Sequence, residues 1–261
     1  MKKLKILIKY LQFILSAKTK HAVHSPFIYN FLQKVVFNKT NSGDLNEIKL
    51  LRKKLLNDDR EILIKDFGAG SHVNPSKKRI IKDIAKNSAK TEKYGKILYN
   101  IMKYYKPKKA LELGTSLGIS TCYIAKGYDQ AEVVSLEGCP NTIKIAKYNL
   151  GKLNIHNTKI IEGNFNNTLN LTLKEMKSIN FIFIDGNHQK HATIKYYEEC
   201  LKYAENNTFF IFDDIYWSSG MKKAWEHIKK HTKTRVSIDL FFIGIIFIKK
   251  ELSNEHFKIR F

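Results

Sequence analysis

The sequence predicts an α/β protein: a seven-stranded, mostly parallel sheet closed by an antiparallel hairpin, preceded by a mainly helical extension. Three observations predict it. From residue 94 onward, strand-length apolar runs alternate with helix-length amphipathic segments, the pattern of parallel strands joined by helical crossovers. The run "NFIFID" is apolar at both alternations, as a strand covered on both faces should be. The last two strands, "RVSIDLFF" and "GIIFIKK", have almost nothing between them, so they pair as a hairpin and one runs against the rest. The division expected is an extension over 1–93 and a sheet domain over 94–261.

The elements follow in order. "MKKLKILIKYLQFILSAKTKHA" has a broken apolar run, which argues against a signal peptide. At helical period Leu4, Leu7, Ile8, Leu11, Ile14 and Leu15 share a face, with Lys2, Lys5, Lys9 and Gln12 largely opposite. This amphipathic helix is too charged to span a bilayer. It is expected to pack on the protein; peripheral contact with a membrane surface is the alternative. Ser25-Pro26 opens a second apolar helix, with proline at its first position. "NKTNSGD" is a polar linker, and residues 45–57 and 77–90 read as Lys-rich amphipathic helices. In the sheet domain the strands are "KALELG", "AEVVSLEG", "TKIIEGN", "NFIFIDG" and "NTFFIFDD", then the hairpin.

Composition bounds the partners. At 261 residues with 43% hydrophobic residues, the chain is long enough for one large domain with an extension. A net charge of +22 would suit nucleic acid or an anionic membrane, yet the lysines are scattered along nearly the whole chain. A solvated surface is the plainer reading, and a nucleic-acid partner the weaker one. Cys122, Cys139 and Cys200 are odd in number and widely spaced, which suggests neither a disulfide framework nor a zinc cluster. The chain reads as cytoplasmic, a protein of a reducing compartment.

Two stretches run through an acidic residue into a glycine turn: "IKDFGAGSH" (64–72) and "ALELGTSLGIS" (110–120). In a Rossmann-like sheet, an acidic residue about 20 positions after such a turn ends the next strand and grips ribose hydroxyls. After Gly114, "AEVVSLE" ends at Glu137; after Gly68 there is a Lys-rich helix and no strand. The second turn is therefore the expected cofactor site. Gly114 and Gly118 let backbone approach a ligand, with Thr115 and Ser116 between them in the turn. Glu137 would accept from both ribose hydroxyls. The third glycine of the dinucleotide fingerprint is missing, which argues against a pyrophosphate. The first turn, with Ser71 and His72, is expected to belong to a structural cap; an anion site is its alternative.

Residues 94–250 resemble the class I S-adenosylmethionine (SAM)-dependent methyltransferases, and within them the metal-dependent O-methyltransferases. "LELGTSLGIST" is similar to the first motif of the catechol O-methyltransferase-like enzymes, "FIFIDGNH" to their fourth-strand motif and "FFIFDDIYW" to their fifth. The Asp-Gly-x-His and Asp-Asp forms are closest to the branch that methylates macrolide and aminocoumarin sugars. The resemblance implies SAM as cofactor, with Glu112 meeting its ammonium directly or through water and Asn164 of "IIEGN" at the adenine edge. It implies a small-molecule or glycan-like acceptor, and leaves the oligomeric state open.

Asp185 ends the fourth strand, and Asp213 and Asp214 end the fifth. In an open parallel sheet they emerge together at the carboxyl edge, beside the cofactor. Three converging carboxylates repel unless a cation sits among them, and hard oxygens suit Mg²⁺ or another divalent ion. The expected metal ligands are Asp185, Asp213 and Asp214. The alternative for the Asp213-Asp214 pair is a helix cap. The expected catalytic residues are Asp185 and His188, His188 as general base where catechol-type enzymes carry Lys, with His191 one helical step on as substitute. Tyr216 and Trp217 would wall the acceptor or simply pack. Against an RNA methyltransferase stands "DGNH", where base amino-methylation usually shows an Asn/Asp-Pro-Pro-Tyr-type motif. A SAM-binding, membrane-associated regulator is the remaining alternative, supported by the N-terminal helix alone.

Overall fold

The computed structural model describes residues 2–40, 42–65, 78–88 and 90–261, with the side chains of 2–5 left undescribed. Residues 66–77, which hold all of "DFGAGSH", lie outside that set. Helix α1 (Lys2–Ser16) is followed by α2 (Pro26–Phe31), which runs into a π-turn over Leu32–Val36, and then by α3 (Gly43–Leu55). Strands β1 (Glu61–Leu63) and β2 (Lys78–Ile80) pair antiparallel, with Ile62 opposite Arg79. The single helix expected over 77–90 is thus a short strand and then α4 (Ile81–Asn87), before α5 (Glu92–Tyr105).

The alternating region follows as predicted: β3 (Lys109–Leu113), α6 (Ile119–Gly127), β4 (Glu132–Glu137), α7 (Pro140–Lys152), β5 (Thr158–Glu162) and α8 (Phe165–Met176). Then come β6 (Ile179–Ile184), α9 (Lys190–Leu201), β7 (Ala204–Asp213), α10 (Ser219–Lys229), β8 (Val236–Asp239), β9 (Ile243–Phe247) and β10 (Glu255–Lys258). The strand order is β10-β8-β9-β7-β6-β3-β4-β5. β9 runs antiparallel to β7 and β8, as the hairpin requires, and the other pairs are parallel. The sheet has eight strands rather than seven, because "EHFK" adds β10 beside β8.

Alternate strand residues serve opposite faces. Phe181, Phe183, Phe209 and Ile211 pack with α2 to α6, whereas Ile182, Ile184, Phe210 and Phe212 pack with α8, α9 and α10. The period of two sorts the side chains into two cores, one on each side of the sheet. The first core crosses the expected boundary at residue 93: Ile28, Phe31, Leu45 and Ile48 share it with Ile97, Ile101, Ile124 and Phe247. Asn100, buried in α5, reinforces the join by donating to the Val35 carbonyl (3.0 Å) and accepting from Thr40 Oγ1 (3.0 Å). The extension is therefore built into one face of the sheet.

Helix α1 lies on the other face, turned from the orientation its pattern predicts. Phe13 is buried, while Leu7, Ile8, Leu11 and Leu15 are exposed, Leu15 to 88%. The rotation follows from anchors at the carboxyl edge of the sheet. Lys9 Nζ donates to the Tyr216 carbonyl (3.1 Å), and the rings of Tyr10 and Phe13 pack on Phe241 at 5.0 and 5.4 Å between centroids. No described helix is long and apolar enough to cross a membrane.

Candidate active site

The glycine turn leaves β3 at the carboxyl edge, and its geometry explains its residues. Gly114 has φ +106°, and its amide donates to the Leu136 carbonyl (2.9 Å). A Cβ there would lie 2.2 Å from the carbonyl oxygen of Asp185, so only glycine lets the turn rest on the β6 exit. Gly118 (φ +83°) opens α6, where a Cβ would stand 3.2 Å from that of Ala146 in α7. Ser116, itself at φ +49°, donates its amide to Glu137 Oε2 (2.8 Å), while Cys139 donates to Oε1 (2.9 Å). Each carboxylate oxygen still has lone pairs for a ribose hydroxyl.

Behind the turn, Thr115 Oγ1 meets Ser135 Oγ (2.5 Å), and Glu112 Oε2 accepts from Ser135 (2.6 Å) and Thr121 (2.5 Å). Glu112 is fully buried, and burial raises its carboxyl above the usual range against those hydroxyls. It is expected at the ammonium of SAM, and in this structure its Oε2 is engaged by hydroxyls that brace the turn from within. Its Oε1 is a buried acceptor without a partner among the described residues. Asn164 follows β5 and spends its Oδ1 on capping α8, accepting from the Asn166 amide (2.9 Å). Its side-chain NH₂ is not used by that cap, which leaves a donor for an adenine edge.

The acidic cluster stands next to this turn. Asp185, His188 and Asp213 offer ligand atoms within 4.8 Å of one another, with His188 Nε2 3.6 Å from Asp185 Oδ1. Asp214 lies beside this group, outside its tightest part. Lys90, from the short link between α4 and α5, reaches into the same place. Its Nζ is 3.1 Å from Asp185 Oδ2 and hydrogen-bonds Asp213 Oδ2. Nothing in the sequence singled out Lys90.

The electrostatics follow from one ammonium among three carboxyls. Burial alone would lower the Lys90 pKa, but Asp185, Asp213 and Asp214 together hold it above the usual lysine value. Burial and the neighbouring Asp213 charge push Asp185 well above the carboxylate range. Asp214 rises to about 7 for the same two reasons. Asp213 goes the other way: burial would raise it, and the Lys90 ammonium keeps it low. Burial also holds the His188 imidazole below its ordinary pKa, so it is neutral and able to accept a proton at neutral pH.

The donors fit a hard divalent ion in kind, since carboxylate oxygens with one imidazole suit Mg²⁺ or Mn²⁺. They do not fit it together with Lys90. An ammonium about 4 Å from a divalent ion is repelled by about 8 kcal/mol at an effective dielectric of about 20. One cation or the other can stand between Asp185 and Asp213.

Backbone strain collects around the cluster: Asn187 (φ +64°), His188 (+30°) and Asp214 (+53°) are all left-handed without being glycine. Asn187 is pinned by donating to the Tyr196 hydroxyl (3.0 Å). Tyr216 stacks on Phe241 at 4.9 Å and donates to Asp239 Oδ2 (2.7 Å), so it packs rather than lining an acceptor. Trp217, three residues beyond Asp214, is 40% exposed, and its amide donates to the Asp214 carbonyl (2.9 Å). His191 is exposed on α9. Lys65 donates its amide to Cys139 Sγ (3.4 Å), and Asn141 Nδ2 donates to the Leu63 carbonyl (2.8 Å). Those bonds seat the end of β1 beside the Glu137 loop.

Residues 111–215, from the glycine-turn strand to the carboxylate pair, match a sequence family described as a methyltransferase domain. Solved methyltransferases share the chain's fold. The SAH-bound methyltransferase PaMTH1 of Podospora anserina superposes with a TM-score of 0.60 at 18% identity, over 85% of this chain and 93% of that one. An O-methyltransferase of Bacillus cereus in complex with SAH gives 0.55 at 18%, over 85% and 97%. The O-methyltransferase TomG of Streptomyces achromogenes, involved in tomaymycin synthesis and solved with SAM, gives 0.56 at 14%, over 84% and 94%. At these identities the likeness is one of fold. No curated protein matches the chain in sequence.

Proposed function

We propose that the chain transfers the methyl group of SAM to a hydroxyl oxygen of a small or glycan-like polyhydroxyl acceptor. The observation that carries this reading is the contact between the glycine turn and the acidic loop. Gly114 rests on the Asp185 carbonyl, so a cofactor held by the turn presents its reactive end to Asp185, His188 and Asp213. Gly114, Thr115, Ser116, Gly118, Glu137 and Asn164 would hold the cofactor. Neutral His188 would take the proton from the acceptor hydroxyl as its oxygen attacks the methyl carbon. The S–CH₃ bond breaks, the O–CH₃ bond forms, and S-adenosylhomocysteine leaves.

A metal-assisted version is favoured by the Asp185–His188–Asp213 donor set. When bound by Asp185, Asp213 and Asp214, a divalent ion would supply Lewis acidity that lowers the pKa of an acceptor hydroxyl. That version requires Lys90 to leave.

A SAM-turnover screen over sugars, catechols, lipid head groups, amines and RNA, each with and without Mg²⁺, tests the reading through the methylated product. The expected result is an O-methyl group on a polyhydroxyl acceptor. Methylation confined to amines or RNA would contradict it.

A further inference from the structure

We propose that Lys90 is the resident cation of the acceptor site: its ammonium holds the ground between Asp185 and Asp213, and lysine and divalent metal exclude each other there. The inference rests on the methyl-transfer reading only for what the site does; the competition itself concerns the chain alone. The ion pairs are not the loose kind found on surfaces. The Lys90 side chain is 12% exposed, that of Asp185 12% and that of Asp213 4%. A charge taken this far out of water is held only where opposite charge and hydrogen bonds replace its solvation. The stem passes Phe183, with Nζ 5.8 Å from the ring centroid, which adds a cation–π contact.

The position of Lys90 in the chain gives this cation a use. Asp185 and Asp213 come from the sheet, whereas Lys90 stands between α4 and α5, among helices that pack on the sheet from outside. An ammonium has three hydrogens. Two are matched by Asp185 and Asp213, and the third is left for an acceptor oxygen as it loses its proton to His188. A tethered ammonium would then steady the developing oxyanion as a metal does elsewhere, with no ion to be captured from solution.

Manganese binding tests this directly. Mn²⁺ would be titrated into the intact protein and followed by the loss of its free-ion EPR signal, for the wild type, Lys90→Met, Lys90→Arg, Asp213→Asn and the double variant Lys90→Met/Asp213→Asn. SAM affinity would be measured on each by calorimetry. The wild type and Lys90→Arg should bind Mn²⁺ weakly. Lys90→Met, which keeps the stem and loses the charge, should bind it at least about 100-fold more tightly, and Asp213→Asn should cancel that gain. SAM affinity should be similar throughout. The proposal is overturned if the wild type binds Mn²⁺ as tightly as Lys90→Met, or if wild-type binding is tight and lost on Asp213→Asn. The second outcome needs no Lys90 variant to fold. A wild type that fails to bind SAM contradicts the methyltransferase reading and leaves the result on Lys90 standing.

Discussion

Replacing His188 by Ala is expected to lower turnover by about 10²–10⁴-fold, the range for losing a general base, while SAM affinity stays nearly unchanged. The imidazole meets both requirements of a base. It is neutral at neutral pH because burial depresses its pKa, and its Nε2 is 3.6 Å from Asp185 Oδ1, at the mouth of the carboxylate cluster. The backbone is consistent with the same reading, since His188 and Asn187 are both held at positive φ, a strain that gathers at functional sites. Steady-state kinetics with the acceptor found by the screen, run beside SAM calorimetry, would separate a lost base from a lost cofactor. Turnover within a few-fold of wild type would remove His188 from the mechanism.

Gly114→Ala should abolish SAM binding and destabilise the fold. Its φ of +106° alone costs a non-glycine residue on the order of 1–3 kcal/mol. The added Cβ would also stand 2.2 Å from the Asp185 carbonyl oxygen, a backbone atom that cannot rotate away. Relief must come from separating the turn from the β6 exit, which moves the cofactor cradle and the acidic loop apart. Gly151→Ala is the matched control: nothing lies within 4 Å of the added carbon, and a glycine inside α7 gains about 0.5–1 kcal/mol on becoming alanine. Urea denaturation should show opposite signs for the two substitutions. Equal stability and unchanged SAM affinity for Gly114→Ala would show that the turn is not a tight cradle.

How much of this was legible in the sequence depended on whether a feature is local. The strand–helix rhythm, the closing hairpin and the choice between glycine turns are written in short windows, and the structure shows a sheet of that kind. β10 was missed because "EHFK" is short and half polar; it becomes a strand by pairing with β8 at the sheet edge. The face of α1 was misread because its stripe of leucines counts more apolar residues than the face bearing Phe13. Burial was decided by the aromatic contacts of Tyr10 and Phe13 with Phe241, far along the chain. The hydroxyl partners of Glu112, Ser135 and Thr121, were not legible, because they come from β4 and α6 and meet the carboxylate only in the folded sheet. Lys90 was illegible for a different reason. It is one of 46 basic residues, in a link with no motif, and its role arises only when the fold sets it against residues about a hundred positions away.

The central claim is that the turn after β3 holds SAM, and calorimetry of SAM binding to the wild type and to Glu137→Ala tests it most directly. In the proposed reading Glu137 accepts both ribose hydroxyls, as charge-assisted bonds worth about 1.5–3 kcal/mol each. It also receives the Ser116 and Cys139 amides that shape the turn, so the folded state of the variant must be checked by circular dichroism. The account predicts measurable binding to the wild type and at least about a 10-fold loss of affinity in a folded Glu137→Ala, since one such bond is worth more than a decade in affinity. A wild type that does not bind SAM, or a folded Glu137→Ala that binds it equally well, would contradict it.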